Sequence, residues 1–200
     1  MPMSPAPDFR TTPRRRALAA SLCAAMMAAV ATPAIAGKAH QHSVATMDVA
    51  LEGRSLKIRL DTPLANVLGF ERAPKSDYER QRVDAAVKRL RAGEGLFKPY
   101  APAGCVLGSV QLDAPVLGLA ASGGAAGAAR PPAGPKGEQH AELAAMYEFE
   151  CQEPAELKWI DVGLFSAFTG FRRVDVQLVT ERGQGKQTLQ PRANRLAVTK

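Results

Sequence analysis

The sequence predicts an α+β domain: a mainly antiparallel sheet with one substantial helix and short helical segments packed on it. Three observations carry this expectation. Period-two apolar runs recur between residues 44 and 198, and successive runs are joined by short turns, as in hairpins. One stretch, around residues 76–91, switches to helical spacing. Long helices at the intervals of strand–helix–strand crossovers, the mark of a parallel sheet, are absent from the pattern.

The elements follow in order. Ala45, Met47, Val49 and Leu51 alternate with Val44, Thr46, Asp48 and Ala50, so the first set marks the buried face of a strand. Glu52-Gly53 makes a turn. Leu56, Ile58 and Leu60 then alternate with Lys57, Arg59 and Asp61 in an antiparallel partner that Pro63 ends. Residues 62–74 form a connection whose Leu64, Val67, Leu68 and Phe70 need a surface to pack on. Ser76 or Asp77 caps the helix, with Glu79 in the capping-box position. Tyr78, Val83, Ala86, Val87 and Leu90 share one helical face; Arg80, Arg82, Lys88, Arg89 and Arg91 mostly cover the others, and Gly93 or Gly95 ends the helix. Leu96 and Phe97 return to the core. Residues 105–114 read as a strand, with Val106, Gly108, Val110 and Leu112 on one face and Leu107, Ser109, Gln111 and Asp113 on the other. Residues 115–137 form a Gly/Ala/Pro-rich flexible loop, since from 122 on no large apolar residue offsets the entropy of ordering. Leu143, Ala145, Tyr147, Phe149 and Cys151 form the inner face of the next strand. Residues 154–159 and 162–168 read as short helical segments. A strand over 171–179, a turn at Arg182-Gly183, a polar strand over 184–190 and an edge segment at 196–198 complete the domain. The order of the strands does not follow from the pattern.

Residues 1–36 read as a secretory leader rather than as fold. Arg14, Arg15 and Arg16 precede an apolar run of about 14 residues, short of the roughly 20 that a membrane crossing needs. Pro33 breaks the run, and Ala34 and Ala36 put small residues at the cleavage positions, so the mature domain is expected over 37–200. Four of the 26 basic residues (Arg10, Arg14, Arg15 and Arg16) and one of the 19 acids (Asp8) lie in this leader, so nearly half of the net +7 belongs to targeting. The remaining charge is dispersed, with no arginine stripe beside exposed aromatics, which argues against a nucleic-acid partner. No uninterrupted apolar run of membrane-spanning length occurs in the body, so no stable membrane insertion is expected after cleavage.

Of three cysteines, Cys23 leaves with the leader. Cys105 and Cys151 lie too far apart in sequence for a CxxC redox pair or a compact metal knuckle. In an oxidising compartment the favoured reading is a disulfide, with a buried thiol pair as the alternative. The sequence holds no GxSxG, no HExxH and no phosphate-binding glycine loop, and no carboxylate spacing singles out an acid/base pair, so it is read as no enzyme. The histidines stand out instead. His40 and His42 are two apart, so an extended chain turns both to one side. His140 lies between Glu138 and Glu142 at the end of the loop. Neutral imidazoles with a carboxylate suit Zn²⁺, and these five residues could supply four ligands if the chain start and the loop meet. The residues alone leave open that these are solvated histidines.

Several segments together resemble one family. They are His40-Gln41-His42 before a strand, Thr62-Pro63-Leu64-Ala65-Asn66, Gly69-Phe70-Glu71-Arg72-Ala73-Pro74, Ala103-Gly104-Cys105, Tyr147-Glu148-Phe149-Glu150-Cys151, Leu164-Phe165-Ser166-Ala167-Phe168, and Val176-Gln177-Leu178-Val179-Thr180 with Gly183-Gln184-Gly185. In this order they resemble the DUF2796 family, the exported bacterial proteins that include the zinc-regulated periplasmic protein ZrgA. The resemblance spans residues 40–198. It implies a periplasmic protein of Gram-negative bacteria that chelates or passes Zn²⁺ in uptake, with a component of a zinc-uptake transporter as partner. In zinc-linked members a histidine- and acid-rich loop between the two cysteine-bearing segments binds the metal. The corresponding residues here, 115–142, are rich in Gly, Ala and Pro and hold one histidine, His140. His40 and His42 match the family's N-terminal pair, and Ser43 stands where a glycine is usual. The other reading is a non-metal structural or protein-interaction module of the bacterial envelope. An exposed apolar patch around Phe165, Phe168 and Phe171 would favour it.

Overall fold

The computed structural model describes residues 42–120 and 141–198. The expected leader, His40, Glu138, His140 and residues 121–137 of the expected loop lie outside the described residues.

Nine strands and three helices occur among the described residues. The strands are β1 (Val44–Glu52), β2 (Ser55–Pro63), β3 (Phe97–Pro99), β4 (Cys105–Asp113), β5 (Glu142–Cys151), β6 (Trp159–Val162), β7 (Arg173–Thr180), β8 (Gly183–Leu189) and β9 (Arg195–Ala197). The helices are α1 (Ala65–Leu68), α2 (Asp77–Ala92) and α3 (Leu164–Ala167). The expected class is the observed one, an α+β fold dominated by antiparallel pairing with one long helix.

Six strands form the main sheet in the order β4-β5-β2-β1-β7-β8. The β1–β2 and β7–β8 hairpins are the ones that the sequence marks. Two corrections concern connectivity. β1 and β7 pair in parallel, Val44 opposite Arg173 through Leu51 opposite Thr180. Parallel neighbours need a long crossover, and everything between β2 and β7 supplies it. The single sheet expected is also accompanied by a second, three-stranded sheet, β3-β6-β9. Trp159 and Val162, expected at the ends of two short helical segments, lie in β6; the helical part of the first segment is only a 3₁₀ turn at Pro154–Glu156.

β4 corrects a face assignment. Leu107 lies opposite Phe149 and Ser109 opposite Glu148, so Gly108 is an extra residue in a β-bulge. The bulge exchanges the faces midway. Val106, expected with Val110 and Leu112, is 61% exposed, and Leu107 packs against the core instead. The loop after β4 starts as structure: Pro115–Leu117 form a 3₁₀ turn and Leu119 bridges back to Ala114. The connection after β2 likewise holds the short helix α1, with Leu64 and Leu68 buried.

Alternation explains the core. Met47 and Val49 of β1, Leu56, Ile58 and Leu60 of β2, Tyr147 and Phe149 of β5, and Val174 and Val176 of β7 are buried. Ala86 and Leu90 of α2 and Phe97, Ile160 and Val162 of the small sheet belong to the same cluster. Phe97 meets Tyr147 edge-on at 4.8 Å, joining the two sheets. Each fully buried large apolar side chain contributes roughly 1.5–3 kcal/mol. Phe168 and Phe171 are buried and Phe165 packs against the core, so the exposed patch that would mark a docking module is absent at this place. Tyr78, expected on the inner face of α2, is instead exposed, because that face meets the core only from its second turn onward.

Cys105 and Cys151 are direct cross-strand partners and form a disulfide. Among the described residues, no helix is long and apolar enough to cross a membrane.

Candidate functional site

The segments that carry the expected ligands start from one end of the main sheet. β1 and β5 are both antiparallel to β2, so their first residues flank its last ones. Glu142 lies opposite Pro63, and Ala141 accepts a hydrogen bond from the Leu64 N–H at 2.8 Å. On the other side of β2, the Ser43 N–H donates to Asn66 Oδ1 at 2.8 Å. Ser43 and Ala141, the residues that follow His42 and His140, are thus both tied to the turn after β2. Strands lie about 4.8 Å apart, so β1 and β5 are about 10 Å apart across β2.

Asn66 organises this end. Its side chain is 3% exposed and uses both ends of the amide. It accepts from Ser43 and donates to the Val44 carbonyl at 3.0 Å and to Thr62 Oγ1 at 2.9 Å. The backbone of Gly170 presses on it: a Cβ there would lie 2.3 Å from the Asn66 carbonyl oxygen, so no side chain fits at 170.

Ser43 is the one non-glycine residue with positive φ among the described residues, at +66°. The left-handed region costs an L side chain about 1 kcal/mol or more, so glycine would be the unstrained residue at this position. The conformation is over-determined. Besides the Asn66 bond, the Ser43 carbonyl accepts from the Arg172 and Arg173 N–H groups at 2.8 and 3.1 Å. The sharp turn at Ser43 directs His42 away from the line of β1.

His42 is exposed, and its Nδ1 lies 3.8 Å from Oε1 of Glu71, whose side chain is 16% exposed. Glu71 is reached from α1 through Gly69, in the left-handed conformation at φ +78°, and Phe70. The next residue, Arg72, forks onto Glu79 of α2 at 2.7 and 2.9 Å and lies over the Phe70 ring. Arg72, and then the Lys75 N–H, hold the Glu79 carboxyl down at about 2. The capping box is therefore half formed. Ser76 Oγ accepts from the Glu79 N–H as expected, but the Glu79 carboxylate serves Arg72 and Lys75 rather than the Ser76 N–H.

Of the five expected metal ligands, His42 and Glu142 are described, and they stand on either side of β2 at the same sheet end. His40, Glu138 and His140 lie outside the described residues. Among the described residues, no group of three His, Cys, Asp or Glu side chains could hold a metal ion. The sequence places Asn66 and Glu71 in segments that carry the resemblance and sets Ser43 apart, but gives none of them a role in the site. Their roles depend on contacts across 23 to 29 positions of chain, which local spacing does not reveal.

No curated protein matches this chain. A family model does, from residue 39 to residue 198, which takes in the histidine at 42, the turn after β2, both cysteines and every strand. That extent also agrees with the lack of a catalytic motif, because the family is one of uptake proteins. By this match across most of its length, the chain belongs to the ZrgA family of zinc uptake proteins.

Proposed function

We propose that this chain is an exported accessory of zinc uptake that holds Zn²⁺ reversibly and passes it to a component of an uptake transporter. The leader is cut after Ala36, and the mature domain, residues 37–200, works in the periplasm. The metal is cargo, bound by His40 and His42, with His140 and the carboxylates of Glu138 and Glu142 completing the set. One observation supports this reading above the others. The residues just after His42 and just after His140 are anchored on the same turn, through Ser43 to Asn66 and Leu64 to Ala141. These two anchors at one end of the sheet support a shared site for the two segments. Neutral imidazole and carboxylate donors suit zinc, and competition with protons makes such binding weaken as pH falls.

The test is calorimetric titration of zinc into the mature chain, prepared without a histidine tag and stripped with chelator. Stoichiometric, micromolar or tighter binding is expected. Replacing His40 and His42 together should abolish it, and His140→Ala should weaken it less. No saturable binding by the wild-type chain would overturn the proposal and redirect attention to protein partners.

A further inference from the structure

We infer that Glu71 is a zinc ligand from the body of the fold, acting beside His42. The inference rests on the zinc-binding reading above. The separation of His42 Nδ1 and Glu71 Oε1 is 3.8 Å, too long for a hydrogen bond. It is close to the spacing of two donors on one metal. Zinc takes nitrogen and oxygen ligands at about 2.0–2.1 Å in tetrahedral arrangement, which sets two donor atoms about 3.3–3.4 Å apart. A shift of about half an ångström, within the reach of side-chain torsions of an exposed imidazole, brings both atoms onto one ion.

The two donors lie on separate segments that the Asn66 side chain ties together. Asn66 fixes Ser43 and so the root of His42, and five residues further along the same turn comes Glu71. Arg72 beside it is committed to Glu79 of α2 in a two-point bond, which pins the backbone on the far side of Glu71. The residues on both sides of Glu71 are thus anchored, and the imidazole is the more exposed partner of the pair. This is the arrangement that keeps the ordering cost of binding low. A carboxylate also brings negative charge to a dication that imidazoles alone leave uncompensated. This chain has one histidine, His140, between its two cysteine-bearing strands. An acid at the sheet end supplies a donor that does not depend on that segment.

The experiment compares zinc binding by the mature wild type, Glu71→Gln and the His40→Ala/His42→Ala double variant, with thermal melts of each in chelator. Glutamine keeps the shape and removes the charge and the anionic oxygen. The expected result is at least a tenfold loss of zinc affinity in Glu71→Gln with an unchanged metal-free melt. A second measurement needs no variant: the ¹³C carboxyl resonance of Glu71 in the wild type should move on zinc addition and saturate at the binding stoichiometry. Loss of binding in the double variant, with Glu71→Gln within twofold of wild type or a stationary carboxyl resonance, would overturn this inference and leave the zinc reading standing. Absence of saturable binding in the wild type would overturn both.

Discussion

Replacing Asn66 by alanine should uncouple the start of β1 from the turn after β2. Three hydrogen bonds go with the amide: from the Ser43 N–H, to the Val44 carbonyl and to Thr62 Oγ1. Each contributes about 1 kcal/mol net, and a partner left buried without one costs up to about 3. Ser43 and Val44 are half-buried, so water can replace part of what they lose. Thr62 is 3% exposed, and its remaining contact, to the Pro63 carbonyl, is long at 3.4 Å. The sum is about 3–4 kcal/mol. In urea, with a slope of about 2 kcal/mol per molar, the unfolding midpoint of the metal-free chain should fall by about 1.5–2 M. Asn66→Asp keeps the acceptor for Ser43 and loses the donor, so it should fall between. A loss under about 1 kcal/mol would refute the reasoning, because it would mean that the turn does not depend on this side chain. The zinc titration adds a functional arm. Asn66→Ala should weaken binding more than Leu196→Ala, a core truncation in the small sheet of similar cost, roughly 2–5 kcal/mol. Equal zinc affinity in the two variants would disconnect the turn from the metal.

Four further outcomes are expected. Cys105→Ala with Cys151→Ala opens a loop of sequence separation 46. It should cost about 4 kcal/mol in urea unfolding by the chain-entropy relation, and a loss below about 1 would show that the unfolded chain gains little freedom. Ser43→Gly should be neutral or stabilising by up to about 1 kcal/mol, whereas Ser43→Val should destabilise; the reverse order of midpoints would contradict the left-handed conformation. The Glu79 carboxyl is held at about 2 by Arg72 and the Lys75 N–H, so its contribution is present above about 4.5 and is lost as pH falls through 2. Glu79→Gln should therefore flatten the acid limb of stability against pH, and superimposable limbs would count against the pairing. Tyr147→Phe removes a buried hydroxyl that has no hydrogen-bond partner among the described residues, so it should be neutral or stabilise by about 1 kcal/mol. Burial raises the Tyr147 phenol, so stability linked to it is full below 10.0 and is lost as pH rises beyond that; the phenylalanine variant should lack this alkaline fall.

How much was legible is best judged on particular residues. The inner faces of β1, β2, β5 and β7 follow directly from alternation, because a strand that buries one face must repeat every second residue. The α2 cap at Ser76 and the end at Gly93 are local chemistry and are found as expected. The Gly108 bulge was not legible: an extra residue leaves the alternation of letters intact while reversing its meaning beyond that point. The strand at Trp159 was missed because four residues carry too short a pattern to separate strand from helix.

The candidate site divides in the same way. His40, His42, His140 and the two cysteines were visible as residue types, since few side chains ligate metals or form disulfides. Glu71 and Asn66 entered only as members of the segments that carry the resemblance, since their contacts with His42 and Ser43 arise only when the chain folds. By itself, then, the sequence determined the α+β class, the inner faces of β1, β2, β5 and β7, the two cysteines as a candidate pair and the family resemblance, all of which rest on periodicity or on recognisable residue types. Only the tertiary structure decided the parallel β1–β7 pairing, the second sheet, the left-handed turn at Ser43 and the approach of His42 to Glu71. The physical reason is that these depend on contacts between distant segments, whose free energy appears only when loop closure has already brought them together.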